Sequence, residues 1–372
     1  MATSVVIAGG GLMGLSAAFH LRRADPGVRV TVLERFQVGA AASGASAAGV
    51  RVMGRDPAER ALALESLGRW PELDKDLEGD TGYRRGGGLR IALDEDAQGA
   101  APSWVAEQRA HGVPVQVVDA AEACRLAPGV SPRCLGGVHC AIDGQADAMA
   151  TVQAFAAAAR RLGATVHEGV GPTAVVAEGG RVVAVTRGDG EREPCDVAVV
   201  AAGVWSATLL AGLGVELSVH ARPLQMLLTD PAPMTLEPVV SSFNRALSFK
   251  QLADGRYLIG GGWPGHIIDE AMNAWRLVED SVRASLEVAQ EVYPPVAATK
   301  LARGWVGLEA FTPDGLPVLG PVLGIDGLLV ATGFSGHGFA LAPAVGDVLA
   351  RLALGLDPRA SLWQGLRFDR AV

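Results

Sequence analysis

The chain runs to 372 residues, 49% hydrophobic and 19% charged, with a formal net charge of −8 and a pI near 5.4. Its length exceeds one ordinary core and suits two domains, or one large domain with an insertion, while the high hydrophobic and low charged content argue against a disordered chain and the 48 glycines suit an α/β enzyme of many tight turns. The acidic balance without a basic cluster excludes a nucleic-acid partner, and four cysteines with no Cys-x-x-Cys spacing exclude zinc or iron–sulfur ligation and read as reduced thiols.

The β-branched run Ser4–Ala8 predicts a strand that stops at Gly9-Gly-Gly-Leu-Met-Gly14, and an Ala/Leu-rich stretch to about Arg23 predicts a helix. Gly9, Gly11 and Gly14 stand where a dinucleotide-binding turn needs a tight turn, close approach to a pyrophosphate and close helix packing. Leu12 and Met13 open the helix, whose free N–H groups and positive dipole end suit a phosphate. A second strand, Val28–Leu33, ends at Glu34, twenty positions beyond Gly14. A carboxylate there can accept hydrogen bonds from ribose hydroxyls and disfavours a 2′-phosphate, so NADP is not expected. This segment leaves NAD and FAD both open.

Further along, Thr151–Leu162 carries Val152, Phe155, Ala159 and Leu162 on one helical face and leads into a strand at Ala164–His167. Strands at Val182–Thr186 and Asp196–Ala201 alternate with turns such as Glu178-Gly-Gly180 and Gly188-Asp-Gly190, which predicts a meander returning to a parallel sheet. The uncharged stretch Val197–Val215 approaches membrane-spanning length, but Ala202-Gly203 and Trp205-Ser206 make it a buried strand followed by a helix, so no membrane span is expected. With the nucleotide strand as the first apolar run and no basic-then-apolar leader, a cytoplasmic location is expected. Residues 81–139 and 217–309 have a different texture, with short strands such as Leu89–Leu93 and Arg256–Ile259 and fewer helix-period runs. The expected architecture is α/β: a Rossmann-like domain of residues 1–80, 140–216 and 310–372, with a second α+β substrate domain of residues 81–139 and 217–309 inserted in two pieces.

A second glycine loop, Gly333-Phe-Ser-Gly-His-Gly-Phe339, follows an apolar strand from Gly327 and precedes a helix reaching Ala353, with Pro343 expected near the first turn, where a missing N–H costs least. On its own this could be an ordinary buried turn. As a second helix amino-terminus it has no obvious use with NAD, whereas a reduced flavin carries negative charge around N1 and C2 that such an end stabilises.

In order and spacing these motifs resemble the FAD-dependent amino-acid oxidoreductases of the D-amino-acid oxidase, glycine oxidase and sarcosine oxidase type, most of all the sarcosine oxidase β-subunit and dye-linked proline or hydroxyproline dehydrogenase branch. The match includes Glu34-Arg35, Ala42-Ser-Gly-Ala-Ser46, Gly49-Val-Arg51, Ala201-Ala-Gly203, Trp305-Val-Gly-Leu308 and Thr312-Pro-Asp-Gly-Leu-Pro-Val-Leu-Gly320. The resemblance implies that Ser43, Gly44, Ala45 and Ser46 lie along the pyrophosphate and ribityl chain of FAD and that Val170 meets the adenine through its backbone. Arg35, Gly49, Ala202 and Gly203 belong to the same cofactor set, and Gly333, Gly336, His337, Gly338 and Phe339 to the loop on the pyrimidine side of the isoalloxazine. Relatives with covalent flavin use a cysteine or histidine at positions that fall here near Gly307 and in Ala40–Gly44, so the FAD is expected to be non-covalent.

The chain also departs from the family pattern. Gly307-Leu-Glu-Ala310 stands where glycine oxidases carry a carboxylate-binding arginine, and Ala340 where sarcosine oxidases carry a lysine. A substrate carboxylate then needs another charge-assisted partner. Arg51 is the first candidate; Arg55 is the second, with a plain surface arginine as its alternative. Glu309 is read either as attracting a cationic substrate group or as a solvated rim residue, and His337 as shaping the loop or joining the chemistry. Trp263 and His266 are expected near the substrate chamber, with a core role as the alternative for Trp263. The oxygen-activating lysine of sarcosine oxidases would fall near Ile259, and Lys250 lies too far upstream, which leans toward a dehydrogenase serving a partner electron-transfer subunit, dye or quinone. The implied activity is hydride transfer from an amino-acid substrate, secondary, cyclic or N-substituted, to flavin N5, giving an imine. The alternatives are a non-catalytic FAD-carrying subunit of a hetero-oligomer, or oxidation of a 2-hydroxy acid.

Overall fold

The strand Ser4–Ala8 forms over the predicted residues and is buried throughout. The computed structural model describes residues 3–370. It sets this strand within a six-stranded sheet ordered 318–321, 328–332, 197–200, 4–8, 29–33 and 165–167, parallel except for the antiparallel edge Val318–Pro321. Successive side chains point to opposite faces. Val5 and Ile7 pack under the helices Leu12–Ala24, Ala148–Arg161 and Gly338–Ala353, while Val6 and Ala8 face a small antiparallel sheet of residues 174–178, 181–186 and 192–194. The helix expected over 151–162 begins at Ala148 because Asp147 caps it, accepting the Ala150 N–H at 2.8 Å. Strand Val197–Val200 is followed by helix Ser206–Ala211, and among the described residues no helix is long and apolar enough to cross a membrane.

A second sheet of eight strands runs in the order 301–311, 220–231, 256–260, 248–251, 239–242, 88–92, 136–140 and 115–119, antiparallel except where Val239–Ser242 lies beside Gly88–Ala92. One face buries Leu89, Ile91, Leu227, Phe249 and Ile259 against Ala289 and Val292 of helix Glu279–Val292. The alternate positions Arg90, Met226, Ser248, Gly307 and Glu309 line a cavity on the other side.

Two local expectations fail. The stretch read as poor in helical periodicity contains a 16-residue helix, Glu95–Ala110, started by Asp94 accepting the Ala97 N–H at 2.9 Å. Gly99 and Pro102 interrupt its pattern, yet Ala97, Ala101, Val105 and Gln108 still make one buried stripe. Pro343 lies inside helix Gly338–Ala353, beyond its first turn. A proline there removes a helical hydrogen bond and crowds the preceding turn. The neighbouring Ala340 carbonyl accepts from Ser66 Oγ at 2.7 Å and Trp70 Nε1 at 3.0 Å, and the Ala344 N–H reaches Ser66 Oγ at 3.4 Å. The turn holding Pro343 is thereby tied to helix Pro57–Arg69.

Candidate active site

Two adjoining cavities lie between the sheets. The first is a cleft of about 1330 Å³ walled by the Gly9–Met13 turn, Glu34, Arg35, Ser43, Ala202–Trp205 and the 333–339 loop. A Cβ on Gly9 would meet the Ala201 carbonyl oxygen at 2.3 Å and one on Gly14 the Gly9 oxygen at 2.0 Å, so these two glycines let strand, turn and helix close on one another. Gly11 is different: its Cβ would meet Ser43 Oγ at 3.1 Å at the cleft wall. Ser43 Oγ accepts the Leu12 N–H at 2.9 Å, seating the 42–45 turn over the start of helix Leu12–Ala24. Met13 touches the second loop, its Cε 3.1 Å from a Cβ built on Gly338, so two helix amino-termini open side by side on the cleft. A cleft with backbone bare of side chains and two positive helix ends fits FAD, whose pyrophosphate is anionic and whose flavin gains negative charge around N1 and C2 on reduction.

Glu34 accepts the N–H groups of Gly10 at 2.7 Å and Phe36 at 2.8 Å, and burial pushes its carboxyl above the ordinary range. The Arg35 guanidinium lies over the rings of Phe36 and Trp205 at 5.3 and 5.5 Å. Gly44 does not reach the cleft, because its Cβ position is filled by Met149 Sδ at 2.3 Å and the Gly39 oxygen at 2.4 Å. Val170 donates its N–H to the Glu34 carbonyl and its own carbonyl accepts from Gly188, while Pro172 and Thr173 line that end of the cleft.

The second cavity, about 1550 Å³, shares Ser46, Glu309, Gly336 and Phe339 with the cleft. Ala45, Gly49 and His337 line it as well. Two non-glycine residues on its wall, Ala48 and Ser335, each hold φ of 49°, a left-handed strain of the kind that clusters at working sites. Arg51 projects into this chamber without an ion pair; burial lowers its pKa, with Asp143 opposing and Arg55 and Arg90 adding to the shift. Arg55 is neither a surface residue nor an available clamp. It is buried and paired with Glu59 at 3.0 Å, and its Nε donates to the Arg51 carbonyl at 3.1 Å. Burial would raise the Glu59 carboxyl, but His337, with Nδ1 at 3.5 Å, and Arg55 outweigh it and hold it below the usual range. His337 sits at the N-cap position of helix Gly338–Ala353, its side chain turned to Glu59 rather than to the helix N–H groups.

Glu309 stands on strand Leu301–Phe311 opposite Arg222 of the neighbouring strand. Its accessible surface faces the two cavities rather than bulk water, and burial pushes its carboxyl up to about 7 against a backbone N–H from Gly336. Trp263 does not reach the chamber; its indole donates to the Ala246 carbonyl at 3.0 Å and so supports a wall segment from behind. His266 is exposed on a separate hairpin. Arg90 and Glu59 were not among the expected site residues. The signal for Arg90 was an arginine at the centre of an apolar strand, Gly88-Leu-Arg-Ile-Ala92.

Lys250 is buried with its Nζ on the Ala146 carbonyl at 2.8 Å, and burial lowers its pKa to about 7. Between that value and the ordinary lysine range the unfolded chain binds more protons than the folded one, so stability rises with pH across this window. Lys250→Met is therefore expected to stabilise by ~1–3 kcal/mol near pH 6 and by less near pH 9. Thermal melts at both values check this, and equal shifts at the two would count against it.

Residues 4–352 match the family model described as FAD dependent oxidoreductase. The chain is 33% identical over 378 residues to glycine oxidase of Pseudomonas aeruginosa, covering 96% of each. It is 27% identical to sarcosine oxidase subunit beta of Rhodobacter capsulatus, covering 96% of this chain and 86% of that one. Among solved structures, L-proline dehydrogenase from P. horikoshii shares the fold with a TM-score of 0.87 at 24% identity, over 99% of this chain and 98% of the other.

Proposed function

The chain belongs to the FAD-dependent oxidoreductase family, and on that premise we propose that it oxidises the carbon–nitrogen bond of an amino acid whose nitrogen is secondary, cyclic or N-substituted. Bound FAD would supply the acceptor for a hydride from the C–H beside that nitrogen, and the resulting imine would be hydrolysed by water. One observation carries the reading: Arg51 and Glu309 face a single chamber that adjoins the cofactor cleft. Arg51 offers the substrate carboxylate a bidentate fork. Glu309 takes a proton from the incoming ammonium, which frees the nitrogen lone pair that assists hydride departure. His337, held by Glu59, is a positioning residue that fixes the loop carrying Gly336. With no cysteine or histidine at Gly307 or in Ala40–Gly44, the FAD is held non-covalently.

No lysine lines either cavity among the described residues. This supports a dye, quinone or partner subunit as electron acceptor, as does kinship with a protein named as a subunit. Anaerobic mixing of the FAD-loaded protein with a panel of amines and amino acids tests the reaction. Bleaching of the oxidised flavin bands by one amine class is expected; bleaching by a 2-hydroxy acid alone, or by no substrate, would overturn it.

The proton role of Glu309 has a pH signature. Ionised Glu309 is the accepting form and its carboxyl titrates at about 7, so kcat/KM is expected to rise as pH passes through that value. Glu309→Gln should lose this limb and lower kcat/KM by roughly 10- to 100-fold. Rates between pH 5.5 and 9 on both proteins decide it; an unchanged limb in the variant assigns the titration elsewhere.

A further inference from the structure

The charges around the chamber do not balance. Arg51, Arg55, Arg90 and Arg245 line it, against Glu309 as the lining carboxylate. Arg55 is neutralised by Glu59 at 3.0 Å and Arg245 by Glu291 at 2.9 Å. Arg51 and Arg90 form no ion pair among the described residues. The buried Asp143 opposes Arg51 only from beyond ion-pair reach, with its Oδ1 taken by the Val52 N–H at 2.8 Å.

Arg90 is built to hold one orientation. Its guanidinium lies 4.6 Å from the Phe243 ring centroid and 5.3 Å from that of Trp104. One Nη donates to the Phe243 carbonyl at 3.4 Å, while Nε is buried with no partner. Strand Gly88–Ala92 points Arg90 away from the apolar face that takes Leu89 and Ile91. Such aromatic packing fixes the plane of the fork and strips water from it. Two desolvated guanidiniums in one chamber repel each other, a cost that an anionic ligand on each would relieve.

We propose that the substrate is an amino acid with a second carboxylate, its α-carboxylate held by Arg51, its nitrogen beside Glu309 and its distal carboxylate held by Arg90. This rests on the amine-oxidising reading above and narrows it: the amide of the distal carboxylate has the same shape and lacks only the charge that Arg90 selects.

The test uses the FAD-loaded protein. Pairs differing only in that charge, N-methylglutamate against N-methylglutamine, N-methylaspartate against N-methylasparagine, and iminodiacetate against its monoamide, are compared by anaerobic flavin reduction. The acid of at least one pair is expected to show a kcat/KM about tenfold or more above its amide, and Arg90→Gln to collapse that ratio toward one, with Arg90→Lys keeping part of it. A second readout needs no turnover. Malonate or succinate should perturb the flavin spectrum with a Kd about tenfold below that of acetate or propionate, and Arg90→Gln should erase the difference. Equal affinities for mono- and dicarboxylates, amides oxidised as well as acids, or a preference that survives Arg90→Gln would each overturn the proposal. Absence of reduction by every amine, with dicarboxylate selectivity intact, would sink the amine reading and leave the Arg90 anion site standing.

Discussion

Arg51→Met is expected to lower kcat/KM for a carboxylated amine by ~3 kcal/mol or more, over 100-fold, while FAD content stays near wild type. Arg51 is the unpaired guanidinium of the chamber nearest in sequence to the 42–46 turn, and it is not among the residues lining the cofactor cleft. Removing it therefore costs the substrate its clamp without opening the cleft. Arg51→Lys keeps charge and loses the fork, so it should mainly raise KM. Steady-state kinetics with a dye acceptor, beside flavin occupancy by absorbance, separates these effects. Normal turnover by a fully loaded Arg51→Met protein would show that the carboxylate is anchored elsewhere.

Gly11→Val should yield folded protein without flavin. A Cβ there meets only Ser43 Oγ, at 3.1 Å, and the two added methyl groups project toward the path of the pyrophosphate. The same change at Gly14 would drive a methyl group into the Gly9 carbonyl and part helix from strand, so Gly11 is the position that separates cofactor loss from unfolding. Glu34→Ala should weaken FAD binding by ~1–3 kcal/mol, because the carboxylate that ties Gly10 to Phe36 is lost from the edge of the turn. Colourless protein with a cooperative melt is the expected result for Gly11→Val, and a yellow one would mean the cofactor approaches by another route.

The parts of the structure that local chemistry dictates could be read from the sequence. Ser4–Ala8 and its glycine turn, the helix under Asp147 and the strand before Gly333 each depend on neighbours a few residues away. Helix Glu95–Ala110 was hidden because Gly99 and Pro102 break the periodicity that its capping aspartate and buried stripe restore. The substrate side was less accessible for a different reason. Arg90 reaches the chamber only through its strand's register between Val239–Ser242 and Gly136–Cys140, and Glu59 becomes the partner of His337 only when helix Pro57–Arg69 packs beside the second loop, 278 positions away. Trp263 was misplaced because an aromatic in a glycine-rich turn says nothing about which side of the wall it supports.

The wall shared by the two cavities makes the cofactor and the substrate thermodynamic partners. Ser46, Glu309, Gly336 and Phe339 border both spaces, so a ligand that shifts them in one space is felt in the other. Whatever affinity an unreactive substrate analogue gains from flavin, flavin gains in equal measure from the analogue. Amino-acid binding to flavin-free protein should therefore be weak, and a saturating analogue should slow the escape of FAD during dilution.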